Sequence, residues 1–281
     1  MVLLEMDYES LIFKFVDDDP PVVQRRGPKL GGHVEPLPKP RRPPGHLKPG
    51  PNFSVDSWPA RTVRFRFRTR ILTADATPVN DVHANVVRLH LHASSLQSIL
   101  LAVLGYLPRA IQTWFDSWFP EWTLPPRLII KKQKKNWEDE FEAEKAAYAK
   151  LLPLQGTVIP RLFGELKYDK TSALLMSDIG GVCLASPEGG MLELDEFRRL
   201  VRQALTALSR FGVLQDDTKL DNFHFADGRV MVVDLEMTTK QPLTDEQLKF
   251  GIDCAVDSLT DSYEDNQYCF WEDGILSVGV D

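Results

Sequence analysis

Gln215-Asp216-Asp217-Thr218-Lys219-Leu220-Asp221-Asn222, followed by an apolar run that closes on Asp234-Leu235-Glu236, decides how this chain is read. The stretch sets an acid, a lysine, an amide and a second acid in the order and spacing that phosphoryl transfer uses. Asp217 has the chemistry to accept a proton from a substrate hydroxyl, and Lys219 to sit on a transferring phosphate. Asn222 and Asp234 supply oxygens that suit Mg²⁺.

The surrounding pattern supports the grouping. Asn222 to Ala226 and Arg229 to Val233 are β-rich runs separated by Asp227-Gly228, a dipeptide that accepts the positive φ angles of a type I′ turn. The two strands of such a hairpin run antiparallel, so Asn222 and Asp234 finish at the same edge. Upstream, Leu192, Asp195, Phe197, Leu200, Val201, Ala204, Leu205 and Leu208 recur near helical period, and Gly212 follows as a left-handed cap.

This order of helix, Gly-Val-Leu-Gln-Asp-Asp-Thr-Lys-Leu-Asp-Asn, hairpin and Asp-Leu-Glu resembles the catalytic loop and metal-binding segment of the protein kinase-like superfamily. The family pattern is His-Arg-Asp-x-Lys-x-x-Asn and then Asp-Phe-Gly. Gln215 stands in place of the His, and Glu236 in place of the Gly. An acid after the metal-binding Asp is similar to the aminoglycoside and choline phosphotransferase-type kinases, and fungal kinase-like proteins look closest.

Further segments follow in family order. Arg127 to Lys132 reads as a strand ending in lysine. The resemblance implies that Lys131, or Lys132 as the alternative, holds the nucleotide α/β-phosphates, since strand alternation turns only one inward. Trp137 to Leu152 follows as a helix, with Phe141, Glu144, Tyr148 and Leu151 or Leu152 on one face. Glu144 matches the helix glutamate that pairs with the strand lysine, whereas Lys134 and Lys135 read as surface. Val158 to Glu165 resembles the next strand. Ala173 to Gly181 resembles the last small-lobe strand running into a hinge, whose backbone from Ser177 to Ile179 would meet the adenine edge while Gly180-Gly181 lets the chain swing.

Other parts depart from the family. Thr62 to Ile71 and Asn85 to Leu91 read as strands, with Thr73 to Asp81 between them as a glycine-free loop where the family has its Gly-rich one. His90 and His92 read as the wet face of a strand rather than a metal pair. Leu96 to Phe119 is apolar and aromatic, but its apolar run, Ile99 to Leu107, is far short of the roughly 20 residues of a spanning helix and is interrupted by Pro108 and Arg109. Internal packing on the small lobe is the first reading and a partner-binding or membrane-surface patch the second. Thr244 to Leu248 reads as an N-capped helix start, and no Ala-Pro-Glu segment appears.

Composition bounds the rest. A chain of 281 residues, 43% hydrophobic and 26% charged, suffices for one large two-lobed core or two smaller ones. A net charge of −7 argues against general nucleic-acid binding. Cys183, Cys254 and Cys269 are too scattered for a disulfide framework or zinc site. The acidic N-terminus lacks the pattern of a signal peptide, so a cytoplasmic or nuclear location is expected. Asp17 to Pro59 is crowded with proline and glycine and reads as a polyproline-like or disordered insert.

The expected fold is therefore α+β and bilobal, kinase-like. Residues 1–60 form a proline-rich segment, 61–179 a β-rich small lobe with a hydrophobic insert at 96–119, and 180–281 a reduced helical large lobe with an acidic tail. The resemblance implies an ATP- and Mg²⁺-dependent phosphotransferase acting on a hydroxyl of a small molecule or a protein. Asp217 and Lys219 are its catalytic residues; Lys131, Glu144, Ser177 and Ile179 bind the nucleotide; Asn222 and Asp234 bind metal. The rival is a pseudokinase that binds or scaffolds without turnover.

Overall fold

The computed structural model describes residues 41, 44–54, 58–79, 84–239 and 242–279. They form a mixed α+β structure. The proline-rich reading of residues 1–40 lies outside them.

Apolar residues alternating with polar ones build a six-stranded antiparallel sheet. Its strands are β2 (Arg61–Phe67), β3 (Arg70–Pro78), β4 (Val86–Leu91), β5 (Arg127–Lys132), β6 (Leu162–Tyr168) and β7 (Thr171–Ser177), in the order β2-β3-β4-β5-β7-β6. Phe65, Leu72, Leu89, Leu128, Ile130 and Leu175 fill one apolar cluster on one face. By alternation, β7 sends Leu174 and Met176 into a second cluster, which also takes Phe141 and Tyr148 from helix α3 (Glu138–Lys150). Lys131 follows the same rule.

The second cluster holds most of the chain from Leu184 onward. Helix α4 (Leu194–Ser209) buries Phe197, Leu200, Val201, Ala204, Leu205 and Leu208. Helix α5 (Asp245–Glu272) buries Ile252, Ala255, Val256, Leu259 and Tyr263. Thr244 caps α5 with a reciprocal side-chain and backbone exchange with Gln247, as the sequence predicts. Where α4 meets α5, Phe197 and Tyr263 stack with centroids 4.0 Å apart. Beside them lies the hairpin of β9 (Phe223–Ala226) and β10 (Arg229–Val232), joined to the short strand β8 (Val182–Cys183). Asp227 and Gly228 take φ of 51° and 75°, the positive pair that the turn requires.

Several sequence readings need correction. The run from Thr62 to Ile71 is not one strand. Arg68 adopts a left-handed φ of 51° and turns the chain, and because the alternation continues through β3 it hides that turn. Thr73 to Asp81 is accordingly strand as far as Pro78, paired with β2 and with β4. The connection to β4 therefore begins at Val79, and its residues 80–83 lie outside the described set. The strand expected at Val158 begins at Leu162, after a turn in which the Gly156 N–H donates to the Ile159 carbonyl.

The proline-rich segment also contains a strand. β1 (Leu47–Pro49) pairs antiparallel with β11 (Leu276–Val278), which ties it to the end of the chain across the boundary expected at residue 60. A lone pair of short strands tolerates proline at its margin, which a proline count alone does not reveal.

The stretch 96–119 forms two helices, α1 (Ser95–Gly105) and α2 (Arg109–Trp118). Internal packing is not what they show. Leu104 is the only buried residue of the two, while Trp114 and Trp118 are 56% and 64% exposed. Among the described residues no helix is long and apolar enough to cross a membrane.

Candidate active site

Four segments converge at the boundary of the sheet and the second cluster. β5 carries Lys131 inward, α3 carries Glu144, the turn after β10 carries Asp234 and Glu236, and the loop after α4 carries Gln215 and Asp217. Lys131 Nζ lies 2.8 Å from Glu144 Oε1, 2.9 Å from Asp234 Oδ1 and 3.1 Å from Glu236 Oε1. The ammonium donates hydrogen bonds to Glu144 and Asp234, and Glu236 adds an ion pair.

Burial and charge set the protonation of this cluster. Burial alone pulls the Lys131 ammonium down, but Glu144, Asp234 and Glu236 outweigh it and raise its pKa well above the usual lysine range. Three carboxylates around one ammonium leave excess negative charge, and the most buried of them bears it worst. Desolvation first, with Asp234 and Glu236 adding, pushes Glu144 up to about 7 against the pull of Lys131. For Asp234 burial also works upward, but Lys131 and the Glu236 N–H, 2.9 Å from Oδ1, hold its carboxyl below the usual range. Glu144 Oε2 and the Tyr148 hydroxyl, one turn apart on α3, are both buried without a hydrogen-bond partner.

The loop after α4 is fixed by its own side chains. Gln215 is 4% exposed, and its Nε2 donates to the carbonyl oxygens of Asp234 (3.0 Å) and Asp217 (3.3 Å). It thereby ties the two acid-bearing loops together. Asn222 Nδ2 donates to the same Asp217 carbonyl at 3.0 Å, and among the described residues no hydrogen bond is made to its Oδ1. The Val233 N–H donates to the Asn222 carbonyl, so Asn222 and Asp234 flank the open end of the hairpin. Lys219, largely exposed, reaches Asp217 Oδ2 at 3.1 Å.

The segment that follows β7 is well anchored. Asp178 accepts from the Gly180 N–H at 3.0 Å and pairs with Arg88 Nε at 3.2 Å. The Ser177 N–H donates to the Arg161 carbonyl and the Asp178 N–H to that of Arg127, so Ile179 holds the N–H of this segment that no described protein acceptor takes. Gly181, at φ 71°, lies where a Cβ would meet the Phe225 carbonyl at 2.2 Å, so only glycine fits against the hairpin.

Of the residues singled out from sequence, Lys131, Glu144 and Asp234 meet directly. Asp217 and Asn222 join them through Gln215, and Lys219 stands beside Asp217. Ser177 ends β7 and Ile179 lies two residues beyond it, and among the described residues no hydrogen bond or ion pair joins either to these. Lys132 is only half-buried and makes no ion pair among the described residues. Lys134 corrects its surface reading: its Nζ lies 2.5 Å from Glu236 Oε2 and 4.6 Å from the Trp137 ring centroid. The sequence reading missed Lys134, the pairing of Glu236 with Lys131, and the Arg88–Asp178 pair. A lysine within a basic run carries no sign of which member turns inward, although the acid at Glu236 signals that a second cation is needed. His90 and His92 are exposed as expected. They line a groove of about 640 Å³ with Asp75, apart from this cluster.

Comparison with models of known protein families found no match, and comparison with curated proteins found none either.

Proposed function

We propose that this chain is a kinase-like phosphotransferase that uses ATP and Mg²⁺ to phosphorylate a hydroxyl of a small molecule or a protein. The observation that carries the reading is the meeting of Lys131, Glu144 and Asp234, which lie on three separate segments. A lysine held by a helix glutamate and an acid from the far side of a cleft is the arrangement that phosphoryl transfer needs for positioning phosphates. In this reading the sheet with α3 is a small lobe, and α4, α5 and the β9–β10 hairpin are a reduced large lobe.

Each residue then has a role. Lys131, oriented by Glu144, meets the α/β-phosphates. The Ile179 N–H is offered to the adenine edge. Asp217, held by Gln215 and Asn222 through its main chain, takes the acceptor hydroxyl proton. Lys219, already paired with Asp217, neutralises charge on the γ-phosphate in this reading. Asn222 Oδ1 and the Asp234 carboxylate are hard oxygen donors at one edge of the hairpin and fit Mg²⁺. When bound, the ion offsets the negative charge of the phosphates.

One observation favours a second reading, a pseudokinase that binds or scaffolds. Lys131 is hydrogen-bonded to Glu144 and Asp234 and ion-paired with Glu236, so phosphates must compete with three carboxylates for it. The connection from Val79 to Asn85 also contains no glycine to bring backbone N–H groups close to them. Titration calorimetry of the full chain with ATP, with and without Mg²⁺, separates the two. Binding that requires Mg²⁺ supports the phosphotransferase; absence of nucleotide binding assigns the scaffold.

A further inference from the structure

We infer that α1 and α2, with the arginine stripe of β2, form a docking surface for an anionic lipid bilayer. α1 contains no charged residue over Ser95–Gly105, yet Leu96, Ile99, Leu101 and Val103 are 43–68% exposed. An apolar helix left open on more than one side suits hydrocarbon better than a shaped protein groove, which would cover a single stripe. At about 16 Å in length it is too short to span the roughly 30 Å hydrocarbon layer, and it fits one lying at the interface.

The neighbouring elements supply the rest of an interfacial site. On α2, Ile111, Trp114 and Trp118 fall one turn apart on one exposed face. Tryptophan prefers the depth at which an apolar body and a wet N–H are both satisfied. The basic component begins where that face ends, because Arg68 Nη1 donates to the Trp118 carbonyl at 3.3 Å. Arg64 and Arg66 project from the outer face of β2, opposite buried Phe65 and Phe67, Arg68 stands in the turn that follows, and none of the three has a carboxylate partner among the described residues. Unpaired guanidinium groups beside exposed tryptophans complement lipid phosphate and serine headgroups.

The net charge of −7 does not oppose this, because charge is unevenly placed. Residues 61–70 hold five arginines and no acid, whereas α5 holds eight acids and a single lysine. The patch is locally cationic in an acidic chain, which favours anionic lipid over neutral lipid and makes binding sensitive to salt.

The test is co-sedimentation of the full chain with vesicles of phosphatidylcholine alone or mixed with phosphatidylserine, at low and high salt. We expect binding to the mixed vesicles only, weakened by salt. Arg64→Glu with Arg66→Glu should lower the partition coefficient by at least about tenfold. Trp114→Ser with Trp118→Ser should lower it similarly without changing the melting temperature, since both rings are already exposed. Quenching of wild-type tryptophan fluorescence by brominated lipid gives a readout that needs no variant to fold. Equal binding to neutral vesicles, no binding to either, or partitioning unaffected by both double variants overturns the proposal. A wild-type dimer in solution that the tryptophan variant converts to monomer, with no vesicle binding, also overturns it and assigns the face to a second copy of this chain.

Discussion

Lys131 Nζ lies 2.9 Å from Asp234 Oδ1 across 103 positions of sequence, and 2.8 Å from Glu144 Oε1 on the helix that follows its own strand. This one ammonium joins the sheet, α3 and the loop after the β9–β10 hairpin. Its removal is therefore the most severe change the cluster offers. Lys131→Met should lower the unfolding free energy by about 3–5 kcal/mol, because it strands carboxylates that are 0% and 10% exposed at Glu144 and Glu236. Urea titration of both proteins measures it. A loss under about 1 kcal/mol would mean that the carboxylates reach water without the lysine.

The protonation of Glu144 gives a pH dependence of defined sign. Its folded pKa is raised to about 7, by burial first and by its acidic neighbours second. An unfolded glutamate titrates near 4.3. Between those values the folded chain binds more protons than the unfolded one, so this group's contribution to stability is full below about pH 4.3 and falls as pH rises towards about 7. Glu144→Gln, which keeps a neutral side chain of the same shape, should flatten that slope. Urea midpoints of the two proteins across the window check it, and parallel curves would contradict it. Asp234 acts in the opposite direction at lower pH, since its depressed pKa stabilises above the usual carboxylate range and is lost on acidification.

Tyr148 is fully buried and its hydroxyl has no partner. Tyr148→Phe should then leave stability unchanged or raise it by up to about 1 kcal/mol, as expected when an unsatisfied polar atom is removed. Thermal melting decides. Clear destabilisation would show that the hydroxyl is bonded in solution.

Asp234→Ala should abolish the Mg²⁺ dependence of ATP affinity, because a hard oxygen ligand is lost. Calorimetry with and without Mg²⁺ on folded variant measures it. A variant whose ATP binding still depends on Mg²⁺ would remove Asp234 from the metal role.

Much of this site was legible because its parts are periodic or local. Strand alternation distinguishes Lys131 from Lys132 in principle, and the helical face of Phe141, Glu144 and Tyr148 is plain once α3 is drawn. The Asp227-Gly228 turn and the Thr244 cap are short-range signals, read from a few residues. What failed was context. The turn at Arg68 uses a left-handed arginine that no glycine announces, so β2 and the start of β3 read as one strand and the rest of β3 as a loop. β1 depends on a partner more than 200 positions away, at the other end of the chain. Lys134 looks solvated in a basic run until Glu236 is brought beside it. The exposure of α1 and α2 likewise follows from what does not cover them, which apolar composition does not reveal.

The most direct measurement is phosphate release from ATP and Mg²⁺ by the wild-type chain and by Asp217→Asn, with ATP affinity measured on the same samples. Asparagine keeps the size and shape of the side chain but is no base, while the loop remains tied by Gln215 and Asn222 through the main chain of residue 217. We expect slow but measurable turnover by the wild type, reduced by about a hundredfold or more in the variant, with ATP affinity unchanged. Phosphate release that is the same in both proteins would contradict the assignment of Asp217 as the base and place this chain among the proteins that keep such a site without turnover.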